Sequence, residues 1–188
     1  MSYLYYVIGP SGAGKDSILN AARKRLESGG DIAFAHRYIT RPADAGGENH
    51  VALSIEAFQA RKKRGLFCMH WESHGLCYGL GVEIERWLDA GLSVVMNGSR
   101  GFLHQATERF EDALIPVSIE VDGAILRQRL KQRGRENGDE IEQRVQRASA
   151  FKIEHPRLVR IENNGLLDDA VATFCEHMIH ESGHVTVS

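Results

Sequence analysis

The residues Gly9-Pro10-Ser11-Gly12-Ala13-Gly14-Lys15-Asp16-Ser17 follow the apolar run Leu4 to Ile8 and open the helical pattern Ser17 to Leu26. A strand feeding a glycine-rich turn that feeds a helix leaves few folds open. The glycines let successive backbone N–H groups point inward at an anion, and the helix N-terminus adds its partial positive charge. Lys15 then stands as a compact point charge for the outer phosphates of a nucleotide. A plain strand-to-helix turn needs one or two glycines but no lysine at this place, so Gly9 to Ser17 read as nucleotide-binding residues. One letter departs from the usual pattern: Asp16 stands where Ser or Thr ordinarily holds Mg²⁺.

At 188 residues the chain suits a single domain with a well-buried core. Hydrophobic residues make up 43% and charged residues 26%, as in ordinary globular proteins. A net charge of -2 gives no general attraction to nucleic acid or to anionic membrane, so any anion binding must be local. The opening MSYLYYVIGPSG has no basic leader and too short an apolar run for a signal peptide or a membrane span. Cys68, Cys77 and Cys175 form an odd, widely spaced set without a CxxC pair, which suits a reducing cytoplasm.

Strand-like and helix-like stretches alternate along the chain. Leu4 to Ile8 is a buried strand, and Ile18, Leu19, Ala22 and Leu26 recur at helical spacing until Gly29-Gly30. A second strand is expected over Ile32 to Ile39, then a polar, glycine-rich segment from Ala43 to Asn49. Ser54 can cap a helix over Ile55 to Arg64. Strands follow at Leu66 to Trp71 and Leu76 to Tyr78, with a turn at His74-Gly75 between them. Helices over Val82 to Ala90 and Phe102 to Phe110 flank a strand at Leu92 to Met96, and Leu114 to Val121 is another strand. Asp122 is expected to cap Gly123 to Arg133, with helices at Glu140 to Lys152 and Leu167 to Ile179 and a strand at Leu158 to Ile161. The alternation predicts an α/β fold with a parallel sheet flanked by helices, its phosphate sites at the carboxyl ends of the strands.

Two sets of arginines match phosphate chemistry. Arg37 and Arg41 leave the second strand, and Arg127, Arg129, Arg133, Arg135 and Arg144 surround an interruption at 134–139. Guanidinium forks hold phosphate oxygens bidentately, although part of the second set also fits a solvated helix with pairs such as Glu140 and Arg144. The basic run Arg61 to Arg64 reads as a solvated helix end. Cys68, His70, His74 and Cys77 suggest a metal only at first sight, since Trp71, Leu76 and Tyr78 among them point to ordinary packing. The HExxH match at 180–184 contains the helix breaker Gly183 and reads as accidental.

Taken together, the P-loop, Arg37 and Arg41, the segment His74-Gly75-Leu76-Cys77-Tyr78-Gly79 and the arginine-rich stretch give a chain that resembles the guanylate kinase family over nearly its whole length. The resemblance implies a core of residues 1–36, 79–126 and 148–188, a small acceptor-binding subdomain at 37–78 and a helical lid at 127–147. It implies that Arg37, Arg41 and Tyr78 hold the acceptor's phosphate. The guanine-reading positions do not match: Phe67-Cys68-Met69 replaces the sequence with a base-binding glutamate, and Leu80 stands where a small hydroxyl residue is usual. A site that hydrogen-bonds guanine loses its readout when those groups become Met and Leu. Phosphate grip without base grip points to a phosphorylated acceptor lacking a base.

GPSGAGKDS with Asp16, together with Val94-Val95-Met96-Asn97-Gly98-Ser99-Arg100, is similar to the ribose 1,5-bisphosphate phosphokinases, the guanylate-kinase-like family of phosphonate breakdown. The similarity implies transfer of the ATP γ-phosphoryl group to the 1-phosphate of ribose 1,5-bisphosphate, giving 5-phosphoribosyl 1-pyrophosphate and ADP, with Mg²⁺ as cofactor. Its partner is then a small phosphorylated sugar, with no nucleic acid and no membrane. An acceptor phosphate is already ionised at neutral pH, so catalysis would come from alignment and charge neutralisation by Lys15, Arg129, Arg133, Arg144 and Mg²⁺. Asn97 carries no carboxylate for the metal, so Asp16, with Ser17 nearby, is the candidate to supply one; Asn97 is counted with the acceptor-binding residues. The alternatives are a true nucleoside monophosphate kinase and a non-catalytic guanylate-kinase-like binding module, the latter opposed by the intact Gly12, Gly14 and Lys15.

Overall fold

The computed structural model describes residues 2–45, 48, 50–134, 137–150 and 152–181. Strand β1 (Leu4–Ile8) lies at its centre and is buried along its whole length. Its side chains divide by the two-residue period of a strand: Tyr5 and Val7 enter one apolar cluster, Leu4, Tyr6 and Ile8 the other. A strand apolar on both faces needs cover on both, and the helices provide it.

Beyond the phosphate loop come α1 (Lys15–Leu26), β2 (Ile32–Phe34) and β3 (Arg37–Ile39). Next are β4 (Val51–Ala52), α2 (Ile55–Lys63), β5 (Phe67–Ser73), β6 (Leu76–Gly81) and α3 (Glu83–Asp89). The chain continues with β7 (Ser93–Asn97), α4 (Leu103–Phe110), β8 (Leu114–Glu120), α5 (Gly123–Arg133), α6 (Gly138–Ala150), β9 (Val159–Glu162) and α7 (Leu167–Glu181).

The main sheet has the order β2-β7-β1-β8-β9, and every pairing in it is parallel. Ile18 and Ala22 of α1 and Val171, Phe174 and Met178 of α7 close one face. The other face meets Ile84, Ala106 and Phe110 from α3 and α4, with Met69, Trp71 and Leu80 from a second sheet. This is the expected α/β architecture. Among the described residues no helix is long and apolar enough to cross a membrane.

The second sheet runs β4-β3-β6-β5, with β3 antiparallel to β6 and parallel to β4. Its hairpin turns at His74 and Gly75, both at positive φ, as a two-residue turn between twisted strands requires. One correction concerns 32–39. The single strand expected there is two, β2 in the main sheet and β3 in the second, parted at Ala35-His36. Continuous apolar character cannot reveal that a chain changes sheets. A second correction concerns Asp122, which occupies the N-cap of α5 but accepts no capping hydrogen bond through its side chain. Ser54 does cap α2, accepting from the Ala57 N–H at 3.1 Å.

Helices α5 and α6 have a small core of their own, Leu126, Leu130 and Ile141. Arg127 of α5 and Glu142 of α6 pair bidentately on its exposed side.

Candidate active site

The loop between β1 and α1 is fixed from two sides. Gly14 takes the left-handed backbone at φ +84, and a Cβ there would stand 2.4 Å from Asn163 Nδ2. That amide group, just beyond β9, donates to the Ala13 carbonyl at 2.7 Å. Gly12, at φ +93, lies against Leu126 and Leu130, which a Cβ would approach to 2.9 and 3.1 Å. Helix α5 therefore rests on the loop through the same residues that form its core with α6.

This contact brings the arginines of α5 and α6 over the loop. One cleft of about 650 Å³ is lined by Gly9 to Gly12 and Gly14 to Ser17, by Arg37 and Tyr78 of the second sheet and Arg41 just beyond β3, by Asn97 at the end of β7, and by Arg129, Arg133 and Arg144. Of the residues read from the sequence as nucleotide or acceptor contacts, Ala13 alone is outside this lining, fully buried beneath it. Arg135 lies outside the described residues, and the match at 180–184 runs past the last of them. A neighbouring hollow of about 450 Å³ behind Pro10 holds Arg100, Lys152 and Arg160 but not Lys15, and Arg160 there pairs with Glu120.

Lys15 feels both burial and its charged neighbours. Burial pushes its ammonium below the usual lysine range; Asp16 and Glu48 pull it partly back, while Arg37 and Arg100 push it further down. A phosphate beside it would favour the charged form. Arg129 Nη1 is buried without a hydrogen-bond partner among the described residues, a guanidinium donor left for an anion.

Asn97 joins the loop to the second sheet. Its Nδ2 donates to Asp16 Oδ1 at 3.0 Å and to Glu48 Oε2, and its Oδ1 is buried without a partner among the described residues. Glu48, absent from the sequence-based site, also accepts a bidentate fork from Arg37, with Nε at 2.7 Å from Oε1. The Arg37 guanidinium lies over the Tyr78 ring at 5.1 Å, and Tyr78 stacks on Trp71. His50 holds the other acceptor arginine. Its Nε2 faces the Arg41 carbonyl at 3.0 Å and its Nδ1 faces Arg41 Nη2 at 3.3 Å, so a neutral ring with its proton on Nε2 donates to the first and accepts from the second. A carboxylate and a histidine in a glycine-rich loop have no periodicity to announce them, which is why both escaped sequence reading.

Met69 and Leu80 pair across β5 and β6 and are buried in the second apolar cluster, outside the described lining of the cleft. The Cys68 thiol donates to the Leu80 and Gly81 carbonyls, and burial pushes it up to about 12, which keeps it protonated and a poor metal ligand.

The fold and the cleft define a guanylate-kinase-like P-loop protein. A solved guanylate kinase from Anaplasma phagocytophilum shares the fold with a TM-score of 0.70 at 16% identity, over 98% of this chain and 87% of that one. No protein-family model matches the chain. Among curated proteins, the ribose 1,5-bisphosphate phosphokinase PhnN of Desulfomicrobium baculatum is 57% identical over 89% of both chains. Those of Yersinia pestis and Psychromonas ingrahamii are 49% and 51% identical over 89% of this chain and 86% and 85% of theirs. The chain belongs to the ribose 1,5-bisphosphate phosphokinase PhnN family, a family of kinases.

Proposed function

We propose that this protein transfers the γ-phosphoryl group of ATP to the 1-phosphate of ribose 1,5-bisphosphate, forming 5-phosphoribosyl 1-pyrophosphate and ADP. The observation that carries the reading is one cleft where the P-loop lysine faces arginines from two sides while the positions that would read a base, Met69 and Leu80, are buried in the core. Membership of the family supplies the acceptor's identity.

In this reading the loop N–H groups and Lys15 hold the donor phosphates. Arg129, Arg133 and Arg144 neutralise charge on the group in transfer, acting as a lid with α5 and α6. The unpartnered Arg129 Nη1 fits an anionic oxygen. Arg41, just beyond β3, and Tyr78 of the second sheet hold the acceptor phosphate, and Arg37 adds positive charge from beside them. The attacking oxygen is already ionised, so the chain needs no general base; its work is alignment and charge neutralisation in a site from which closure excludes water.

The residues beside the loop also fit a divalent cation, because the Asp16 carboxylate, the Ser17 hydroxyl and the orphaned Asn97 Oδ1 are hard oxygen donors. Asp16 and Ser17 would hold Mg²⁺, which when bound neutralises phosphate charge. Asp16→Asn keeps the hydrogen bond from Asn97 but removes the charge. We expect it to raise the Mg²⁺ concentration for half-maximal activity by roughly tenfold or more; an unchanged titration would remove Asp16 from this role.

The test of function is ADP release by the purified protein offered ribose 1,5-bisphosphate and GMP separately. Turnover with the sugar alone is the expected result. Turnover with GMP alone would establish a guanylate kinase instead.

A further inference from the structure

We infer that Glu48 reads a hydroxyl group of the acceptor's ribose ring and so decides which phosphorylated sugars are accepted. The inference rests on the proposed function. Glu48 lines the same cleft as Lys15, Arg41 and Tyr78, and its side chain is only 9% exposed. The charge is odd for its surroundings. A cleft that must take ATP and a sugar bisphosphate together has every electrostatic reason to exclude a carboxylate, yet this one is built in with care.

The building is visible from three sides. Arg37 grips both carboxylate oxygens through Nε and Nη2, and is itself held over the Tyr78 ring. Asn97 Nδ2 donates to Oε2 while donating to Asp16 of the phosphate loop. His50, two residues on, ties this stretch of chain to Arg41, its Nε2–H donating to the Arg41 carbonyl at 3.0 Å. Arg37 thereby spends its fork on Glu48, and the phosphate-binding part expected of it passes chiefly to Arg41.

A buried carboxylate has more acceptor capacity than these partners use. Among the described residues Oε2 takes Arg37 Nη2 and Asn97 Nδ2, while Oε1 takes Arg37 Nε and retains a lone pair. Anionic phosphates cannot donate to it, whereas sugar hydroxyls can. The Arg37 pairing cancels the charge that would otherwise repel the substrate, and the Asn97 link fixes the carboxylate relative to the loop where an oxygen of the 1-phosphate is to attack the γ-phosphorus of ATP. Where the guanylate kinase pattern reads a base from the second sheet, this chain reads the sugar from the loop between β3 and β4.

The test offers wild-type protein and Glu48→Gln three acceptors: ribose 1,5-bisphosphate and its 2-deoxy and 3-deoxy analogues, each at saturating Mg-ATP. Wild type should prefer ribose over at least one analogue by roughly 10- to 100-fold in kcat/KM, the worth of a hydrogen bond to a charged group. Glu48→Gln should reduce that preference to about threefold or less, chiefly by losing activity on ribose. Wild type using all three sugars equally overturns the inference without any variant. So does a preference retained in Glu48→Gln, which would leave Glu48 only the task of holding Arg37. An equal loss on every acceptor, repaired by raised Mg²⁺, would assign Glu48 to the metal and likewise overturn it. Failure of wild type to phosphorylate ribose 1,5-bisphosphate at all is a separate result that overturns the proposed function and this inference together.

Discussion

Asn163 and Ala13, 150 residues apart in the chain, meet in one buried hydrogen bond of 2.7 Å. The bond ties the turn after β9 to the floor of the phosphate loop, and the same amide leaves Gly14 no room for a side chain. Asn163→Ala strips the Ala13 carbonyl of its partner and loosens the loop. The expected cost is about 1–3 kcal/mol, a fall in Tm of roughly 3–10 °C, with a raised KM for ATP. A variant that melts as wild type and keeps its KM would show that the loop holds its shape unaided.

Arg129 illustrates a charge kept for function at the expense of stability. Its Nη1 is buried without a partner among the described residues, so replacing the side chain should not weaken the fold. For Arg129→Met we expect a Tm equal to or above that of wild type and a kcat/KM lower by roughly 100- to 1,000-fold, as for loss of a donor that stabilises transition-state charge. Thermal melting and steady-state kinetics on one preparation decide it. A lower Tm with intact turnover would reverse the assignment.

His50 acts on the acceptor through Arg41. With Nε2–H given to the Arg41 carbonyl and Nδ1 receiving Arg41 Nη2, the ring fixes both ends of that residue. His50→Phe should raise the KM for the sugar roughly tenfold or more with kcat and the KM for ATP little changed. His50→Gln, which can still donate and accept, should recover part of the loss. Equal effects on both substrates would point to general loosening of the site.

Tyr6 makes the fold sensitive to alkali. Its hydroxyl donates to the Ser99 carbonyl at 3.2 Å and accepts from the Ser99 N–H at 2.9 Å. Burial raises the phenol from its ordinary 10.0 to about 12. The folded protein thus holds this proton more tightly than the unfolded chain does. The stability it gives is fully present below pH 10 and is lost as pH rises through 12, about 2–3 kcal/mol in all. Tyr6→Phe should be less stable than wild type at pH 9, with the gap narrowing by pH 11.5. Parallel denaturation midpoints across that range would contradict this.

What could be read from the sequence followed from local physics. Leu4 to Ile8, the glycines and Lys15 announced strand, loop and helix because each carries its own conformational signal, and Ser54 announced α2 in the same way. The cleft-lining arginines were legible by residue type and their place beside an interruption or a strand end. Long-range geometry was not. The switch of sheets at Ala35-His36, the two-residue strand β4, the Asn163 anchor and the Glu48 bridge all depend on partners far away in the chain, and a polar residue in a loop looks the same whether it faces solvent or a buried arginine.

Phosphorus NMR of the purified protein with Mg-ATP and ribose 1,5-bisphosphate shows whether phosphate is added to phosphate on a sugar without a base. The expected result is a coupled pair of pyrophosphate signals on the product, rising in step with ADP, and no new diphosphate when GMP replaces the sugar. ADP accompanied only by inorganic phosphate, or GDP formed from GMP while the sugar stays unchanged, would contradict it.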